Sequence, residues 1–408
     1  MRNHTAPAKP SCILAINGGS STLRFALYQV GDPPQLLLRG KADRIGRGGS
    51  SWIVRDVNGA ILEEGSLAAS DHDATVNYLL SWLAARPEFA TVRMVAHRIV
   101  HGMNHRNPEL ITPALLEHLG SIVAIDPEHL PWEIALIKAF QKRHSSLPQL
   151  ACFDTAFHST LAQIARQLPI PRRLSAIGIE RYGFHGLSYA FCMRELVRLG
   201  DPAAASGRVI LAHLGSGASL AAVLHGQSID TSMGFTPAAG LMMGTRSGDL
   251  DPGLGDYLAT TQGMSSSQFR HMVNHESGLL GVSGISSDMR DLLACAADHP
   301  DAAQAVAMFC YQVKKWIGAY SAALGGVDTL VFSGGIGENA PQVRERICAG
   351  LEFIGIELDV SRNARSAAVI SSDSGRVAVR VIPTDEELEL ACSALPFCNP
   401  SEHPDGER

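Results

Sequence analysis

Two short apolar runs parted by a Gly/Ser turn occur twice in this chain. Residues 12–16 meet Asn17-Gly-Gly-Ser-Ser-Thr22, and the apolar run 23–30 follows at once. That pattern predicts strand, turn and strand, a hairpin. Residues 209–213 meet Leu214-Gly-Ser-Gly-Ala-Ser219 and run into 220–224, the same design. Laid side by side without gaps, 13–23 and 210–220 share Ile, Leu, Ala, Gly and Leu. Two such hairpins, each opening one half of the chain, predict a duplicated fold. Two like domains would then face each other across a cleft, where ligands commonly sit.

Between the hairpins the period changes. Residues 74–85 and 131–143 carry apolar side chains at helical spacing, and 302–325 predicts a long helix stopped by Gly325-Gly326. Residues 329–333 predict a strand running into Gly334-Gly-Ile-Gly-Glu-Asn339. The polar, Pro-containing stretch after Pro396 predicts a frayed end, and residues 1–10 a loose arm with no apolar segment of the signal-peptide kind.

A length of 408 residues suggests two domains. A net charge of −6 gives no global basic field for nucleic acid or an anionic membrane. No apolar run approaches the roughly 20 residues that span a bilayer. The eight cysteines are scattered without a C-x-x-C pair, which excludes zinc and redox motifs and predicts buried free thiols in a cytoplasmic protein.

Candidate chemistry begins with the glycine turns. Ser/Gly-rich hairpin tips present backbone N–H groups and hydroxyls that can cradle phosphate. Three such tips are expected, at 17–22, 213–219 and 334–339. One alone is a turn and nothing more; three after apolar strands favour a nucleotide. The chain has no G-x-x-x-x-G-K-[ST], no G-x-G-x-x-G and no G-x-S-x-G. P-loop, dinucleotide and hydrolase-elbow readings therefore lack support.

Arg98 lies inside an apolar strand-like run and needs a partner, either a bound carboxylate or phosphate or an internal Asp or Glu; the segment alone does not choose. Arg246 sits on a turn between glycines, within reach of a transferring phosphoryl group or simply solvated. His185 stands between an aromatic and a glycine, where a structural histidine is the commoner outcome. Asp154 ends an apolar run, as a magnesium ligand, an orienting group or a turn aspartate. Thr384 is placed to cap a helix with Glu386 and Glu387 in its first turn, where a carboxylate either complements the helix or binds magnesium.

Taken together, the segments Ile16-Asn-Gly-Gly-Ser-Ser-Thr-Leu23, His97-Arg-Ile-Val-His-Gly102, Phe153-Asp-Thr-Ala-Phe-His158, Arg181-Tyr-Gly-Phe-His-Gly186, His213-Leu-Gly-Ser-Gly-Ala-Ser219, Asp230-Thr-Ser-Met-Gly-Phe-Thr-Pro237, Gly240-Leu-Met-Met-Gly-Thr-Arg-Ser-Gly-Asp249 and Gly335-Ile-Gly-Glu-Asn339 resemble the acetate kinase family, in its order and over nearly the whole chain. The resemblance implies a duplicated actin/sugar-kinase/Hsp70-like (ribonuclease H-like) α/β fold, two domains around an ATP cleft, acting as a homodimer. It implies an N-terminal domain of 11–156 completed by 386–397, a nucleotide-binding domain of 157–385 and a flexible tail of 398–408. Asn17 and Glu386 match metal positions, for magnesium with manganese as the alternative. Arg98 matches the arginine for the substrate carboxylate; Asp154, His185, Arg246 and His129 match active-site residues. Val100, Phe184 and Pro237 match the lining of the pocket for the acid's alkyl group. ATP positions fall on Arg24, on His213, Leu214, Gly215, Ser216 and Gly217, on Asp288, Met289 and Arg290, and on Gly335, Ile336, Gly337, Glu338 and Asn339.

The implied reaction is direct in-line transfer of the γ-phosphate of ATP to acetate, reversible because acyl phosphates have high transfer potential. A carboxylate is ionised at neutral pH and needs no strong base. It needs alignment and relief from charge repulsion, which arginines, magnesium and a donating histidine supply. The chain departs from the family at Arg24 for a lysine, at Ser216 for an asparagine, and at Glu128, where an apolar pocket residue is expected beside His129. Glu128 must point away or reshape the pocket, since a buried carboxylate beside a carboxylate substrate is unfavourable. The competing readings are a propionate or butyrate kinase, because a methylene is worth only about 1–3 kcal/mol, and a non-catalytic nucleotide-switched module of the same fold.

Overall fold

A computed structural model of the chain describes residues 11–19, 21–46, 49–67 and 71–398. The expected arm 1–10, and the expected tail from residue 399 onward, lie outside the described residues.

The first apolar pair folds as expected. β1 (Cys12–Gly18) and β2 (Thr22–Gln29) pair antiparallel from Cys12↔Gln29 to Gly18↔Leu23. β3 (Gln35–Asp43), β4 (Ser51–Asp56) and β5 (Ile61–Ser66) extend the antiparallel side. On the other side of β1, β6 (Val92–Ile99) runs parallel to it and β8 (Gln149–Phe153) parallel to β6, with β7 (Glu109–Leu110) antiparallel at the edge. The order is β5-β4-β3-β2-β1-β6-β8-β7.

The second sheet contains β9 (Arg208–Leu214), β10 (Ala218–Leu224), β11 (Gln227–Thr231), β12 (Thr329–Ser333) and β13 (Ala378–Val381), in the order β11-β10-β9-β12-β13. Its first three strands are antiparallel, and β12 and β13 are parallel to β9. Without β4, β5 and β7, the first sheet has this same order and polarity. Each hairpin found in the sequence thus takes the same central place in its own sheet, the duplicated fold that the sequence implied.

Two compact units result, Met1–Ala156 with Asp385–Arg408, and Phe157–Thr384. The helix Glu386–Cys398 belongs to the first unit because it packs on β1, β2 and β6. All seven residues of β1 are buried, as expected of a strand covered on both faces. Phe25 lies opposite Gly40 in the β2–β3 pair, and a Cβ at Gly40 would come 2.2 Å from its ring. The glycine makes room for Phe25, which stacks on Trp52 with ring centroids 5.2 Å apart. In the second unit the helix Pro300–Leu324 starts on a proline, buries Val306, Phe309, Val313 and Ile317 at helical spacing, and stops at Gly325 with φ 71°.

Three local expectations need correction. Residues 334–339 are no hairpin tip: Gly334–Asn339 is a short helix after β12, because β12 is followed by no antiparallel return strand. Thr384 does not cap the last helix. Asp385 does, its Oδ1 accepting from the Leu388 N–H at 2.9 Å, because a carboxylate one residue nearer reaches the exposed donor. The helix also does not fray after Pro396 but continues to Cys398. None of the eight cysteines is in a disulfide, and five of them are buried. Among the described residues no helix is long and apolar enough to cross a membrane.

Candidate functional site

In the first unit the polar residues gather at the carboxyl ends of β1, β6 and β8, where parallel strands release their chains and α/β folds bind ligands. Asn17 is the penultimate residue of β1, Arg98 that of β6, and Asp154 follows β8. The register puts Ile16 beside His97 and Ile99 beside Phe153, so the three side chains emerge together. Arg98 donates from Nε and Nη2 to Asp154 Oδ2 at 2.9 and 2.6 Å, and from Nη1 to Asn17 Oδ1 at 3.3 Å. Of the two partners open to Arg98, the internal carboxylate is therefore present. Burial works against the Arg98 charge, but Asp154, Glu386 and Glu133 outweigh it and hold its pKa above the usual arginine range.

Glu386 and Glu387, brought in by the last helix, both accept from the Asn17 amide, at 2.8 and 3.0 Å. Burial, reinforced by Glu386 and Asp385, raises the Glu387 pKa, while Arg24 and the Asn17 bond pull it down. Arg24 itself is exposed and stands opposite Asn17 in the hairpin. Two carboxylates and an amide oxygen within one cluster are hard oxygen donors, the class magnesium takes. Among the described residues no three His, Cys, Asp or Glu side chains form a ready cage.

His129 precedes the helix Leu130–Arg143 and sets Nδ1 between both oxygens of Asp126, at 2.9 and 3.0 Å. Burial tends to raise the Asp126 pKa, but the bond and charge of His129 outweigh it and the pKa is lowered. Glu128 is exposed, so it points outward. The buried carboxylate of this helix is Glu133, 2% exposed, whose oxygens accept from the Val100 N–H at 3.1 and 3.2 Å. Burial holds its pKa well above the usual carboxylate range, although Arg98 pulls it down. Sequence reasoning passed over Glu133. Its signal was an acidic residue on the apolar face carrying Leu130, Ile134 and Ile137.

In the second unit the β9–β10 turn is the centre. His213 and Ser219 are cross-strand partners, and the Gly215 N–H closes the turn on Gly217 O at 2.9 Å. His185 starts the helix Gly186–Arg198 in the left-handed region, φ 60°. Its Nδ1 hydrogen-bonds Ser219 Oγ at 2.8 Å, and its ring stacks on His213 with centroids 4.3 Å apart. A Cβ at Gly217 would meet His185 Nε2 at 3.1 Å and Arg246 Nη2 at 3.2 Å. The imidazole and the guanidinium thus converge on one glycine of the turn, and a Cβ there would press on both. Arg246 is oriented by donating from Nη1 to Pro237 O at 2.7 Å. Phe184 is buried, and its carbonyl accepts from His158 Nε2 at 3.1 Å.

Gly334–Asn339 packs close to that turn: a Cβ on Gly334, φ 76°, would come 2.7 Å from Leu214 O. Glu338 is engaged within the unit, accepting from the N–H groups of Gly334 at 2.8 Å and Thr384 at 3.1 Å. Asn339 donates to Gly335 O at 3.0 Å. Asp288 caps the helix Met289–Cys295 and pairs with the exposed Arg290, while Met289 is buried. The structure therefore gathers Asn17, Arg98, Asp154 and Glu386 in one unit, and His185, His213, Ser216, Gly217 and Arg246 in the other.

The model of the acetokinase family matches residues 12–392. An acetate kinase of Rhodopseudomonas palustris is 40% identical over 385 residues, covering 93% of this chain and 96% of that protein. A propionate kinase of Citrobacter rodentium is also 40% identical, over 388 residues, 93% of this chain and 95% of its own. The crystal structure of a propionate kinase from Francisella tularensis superposes with a TM-score of 0.87 at 34% identity, over 94% of this chain and 98% of that one.

Proposed function

The chain belongs to the acetokinase family and is a kinase, and from that premise we propose that it transfers the γ-phosphate of ATP reversibly and directly to acetate, giving acetyl phosphate and ADP. The observation that carries the reading is the convergence of His185 Nε2 and Arg246 on Gly217. Arg246, fixed by Pro237 O, supplies positive charge to the transferring phosphoryl group. With Ser219 Oγ donating to Nδ1, the His185 proton sits on Nε2, which donates it to the phosphoryl group. The glycine turn 215–217 offers backbone N–H groups to the phosphates. Arg98 orients the substrate carboxylate with its guanidinium fork, and Asp154 keeps that fork in place. Asn17 and Glu386 hold magnesium, or manganese in its stead, which when bound neutralises phosphate charge.

In this reading Val100, Phe184 and Pro237 are the residues for the acid's alkyl group. Propionate is the competing acid, since a propionate kinase is as similar to this chain as an acetate kinase is. The reading includes a homodimer, which sedimentation checks. The decisive experiment traps acyl phosphate with hydroxylamine from ATP, magnesium and each of formate, acetate, propionate and butyrate, beside Arg98→Ala. Product that peaks at acetate and vanishes in the variant supports the reading. A peak at propionate reassigns the acid, and no product from protein that binds ATP refutes the transfer.

A further inference from the structure

Arg344, in the first half of the helix Pro341–Cys348, is 0% exposed. Its five N–H groups are all used. Nε donates to Asn363 Oδ1 at 2.9 Å, Nη1 to Gly337 O at 2.7 Å and Glu338 O at 3.0 Å, and Nη2 to Asn363 O at 2.9 Å and Ser366 Oγ at 3.0 Å. None of these acceptors is a carboxylate. The other deeply set arginines behave differently: Arg98 pairs with Asp154, and Arg380 with Asp201 at 2.7 Å. A buried charge without a counter-ion is strongly unfavourable, and an apolar side chain of similar volume would pack there at lower free energy. Burial lowers the Arg344 pKa, but a guanidinium stays charged near neutral pH.

Two of the five acceptors are carbonyls of Gly334–Asn339, the segment in which the family resemblance sets ATP positions. That short helix is held at its start by the Glu338 carboxylate on the Gly334 N–H, and at its end by Arg344 on Gly337 O and Glu338 O. Fixing those carbonyls fixes the peptide planes of the segment. Because no carboxylate among the described residues pairs with the guanidinium, its charge also remains available to an anion at that segment, and in a low-dielectric interior such charge acts over some distance.

We propose that Arg344 is a positioning residue for the nucleotide: its fork sets the backbone of Gly334–Asn339, and its uncancelled charge favours a polyphosphate there. This rests on the reading of the chain as an ATP-dependent kinase.

Two variants separate fork from charge. Arg344→Lys keeps the charge and breaks the fork; Asn363→Asp keeps the fork and gives the guanidinium a carboxylate partner. Arg380→Met serves as control, since it breaks a buried ion pair of the same unit away from the segment. Affinity for MgATP and MgADP is measured by calorimetry, KM for each substrate by kinetics, and folding by thermal melting. Arg344→Lys is expected to weaken both nucleotides by about tenfold or more, leaving the carboxylate KM within about twofold. Asn363→Asp is expected to weaken them by about threefold. Arg380→Met lowers the melting temperature without changing nucleotide affinity. Folded Arg344→Lys protein that binds ATP like the wild type overturns the proposal, as does an equal loss in Arg380→Met. If Arg344→Lys does not fold, Asn363→Asp decides, and unchanged affinity there overturns it. Wild-type protein that binds no ATP refutes the kinase reading instead.

Discussion

Arg98 sets two of its nitrogens, Nε and Nη2, on the single Oδ2 atom of Asp154, at 2.9 and 2.6 Å. The pair joins the ends of two adjacent parallel strands, and the third nitrogen reaches the neighbouring strand at Asn17. One arginine thus ties three strand ends together, and it is held from below rather than by solvent.

Arg98→Ala leaves a carboxylate that is 1% exposed without its counter-ion. Such a break destabilises by about 3 kcal/mol. Acyl phosphate formation is expected to fall by about three orders of magnitude. The double variant Arg98→Met/Asp154→Leu should regain much of the melting temperature and none of the activity. Thermal melts beside the hydroxamate assay separate the two effects, and an active double variant would contradict the assigned roles.

Ser219 Oγ bridges His185 Nδ1 and the Tyr189 hydroxyl. Ser219→Ala removes the group that fixes the imidazole but none that touches phosphate. We expect kcat to drop about tenfold with KM for ATP little changed, and His185→Gln to drop kcat about 10²–10³-fold. Steady-state kinetics decide; a Ser219→Ala enzyme with unaltered kcat would show that the bond does not orient His185.

Asp385 caps the last helix and also accepts from Tyr28 at 3.3 Å and Arg39 at 3.0 Å. Asp385→Ala should destabilise by about 1–2 kcal/mol. Thr384 Oγ1 is buried without a hydrogen-bond partner among the described residues, so Thr384→Val should be neutral or slightly stabilising. Urea melts of the two variants test the assignment, and the reverse order would return the cap to Thr384.

His97 and His158 are buried, and burial lowers both pKa values to about 4; at His158 Arg181 adds to this while the Phe184 carbonyl opposes it. The unfolded chain, near pKa 6.5, takes up protons that the folded chain refuses. Stability is therefore full above about pH 6.5 and is lost as pH falls toward about 4, each histidine contributing a slope of about 1.4 kcal/mol per pH unit. His97→Gln should flatten the stability profile in that window. Denaturant midpoints from pH 7 to pH 4 measure it, and an unchanged slope would mean that His97 is protonated in the fold.

The sequence by itself determined the local elements and their repetition. The hairpins at β1–β2 and β9–β10, the helix Pro300–Leu324 and the strand Thr329–Ser333 follow from period, turn residues and a stop glycine, all of which act between near neighbours. The family motifs also named the residues of the candidate site. Tertiary structure alone decided what those residues touch. Arg98 could have awaited a ligand, but strand register put Asp154 beside it. Glu128 could point away or reshape the pocket; it is exposed, and Glu133, on the inward side of the neighbouring helix, is the buried carboxylate that holds the Val100 N–H. Arg344 carries no motif signal, and its five neutral acceptors come from two separate stretches of chain, 337–338 and 363–366. Hydrogen-bond partners of this kind are fixed by pairing between segments far apart in sequence, and such pairing leaves no trace in local periodicity.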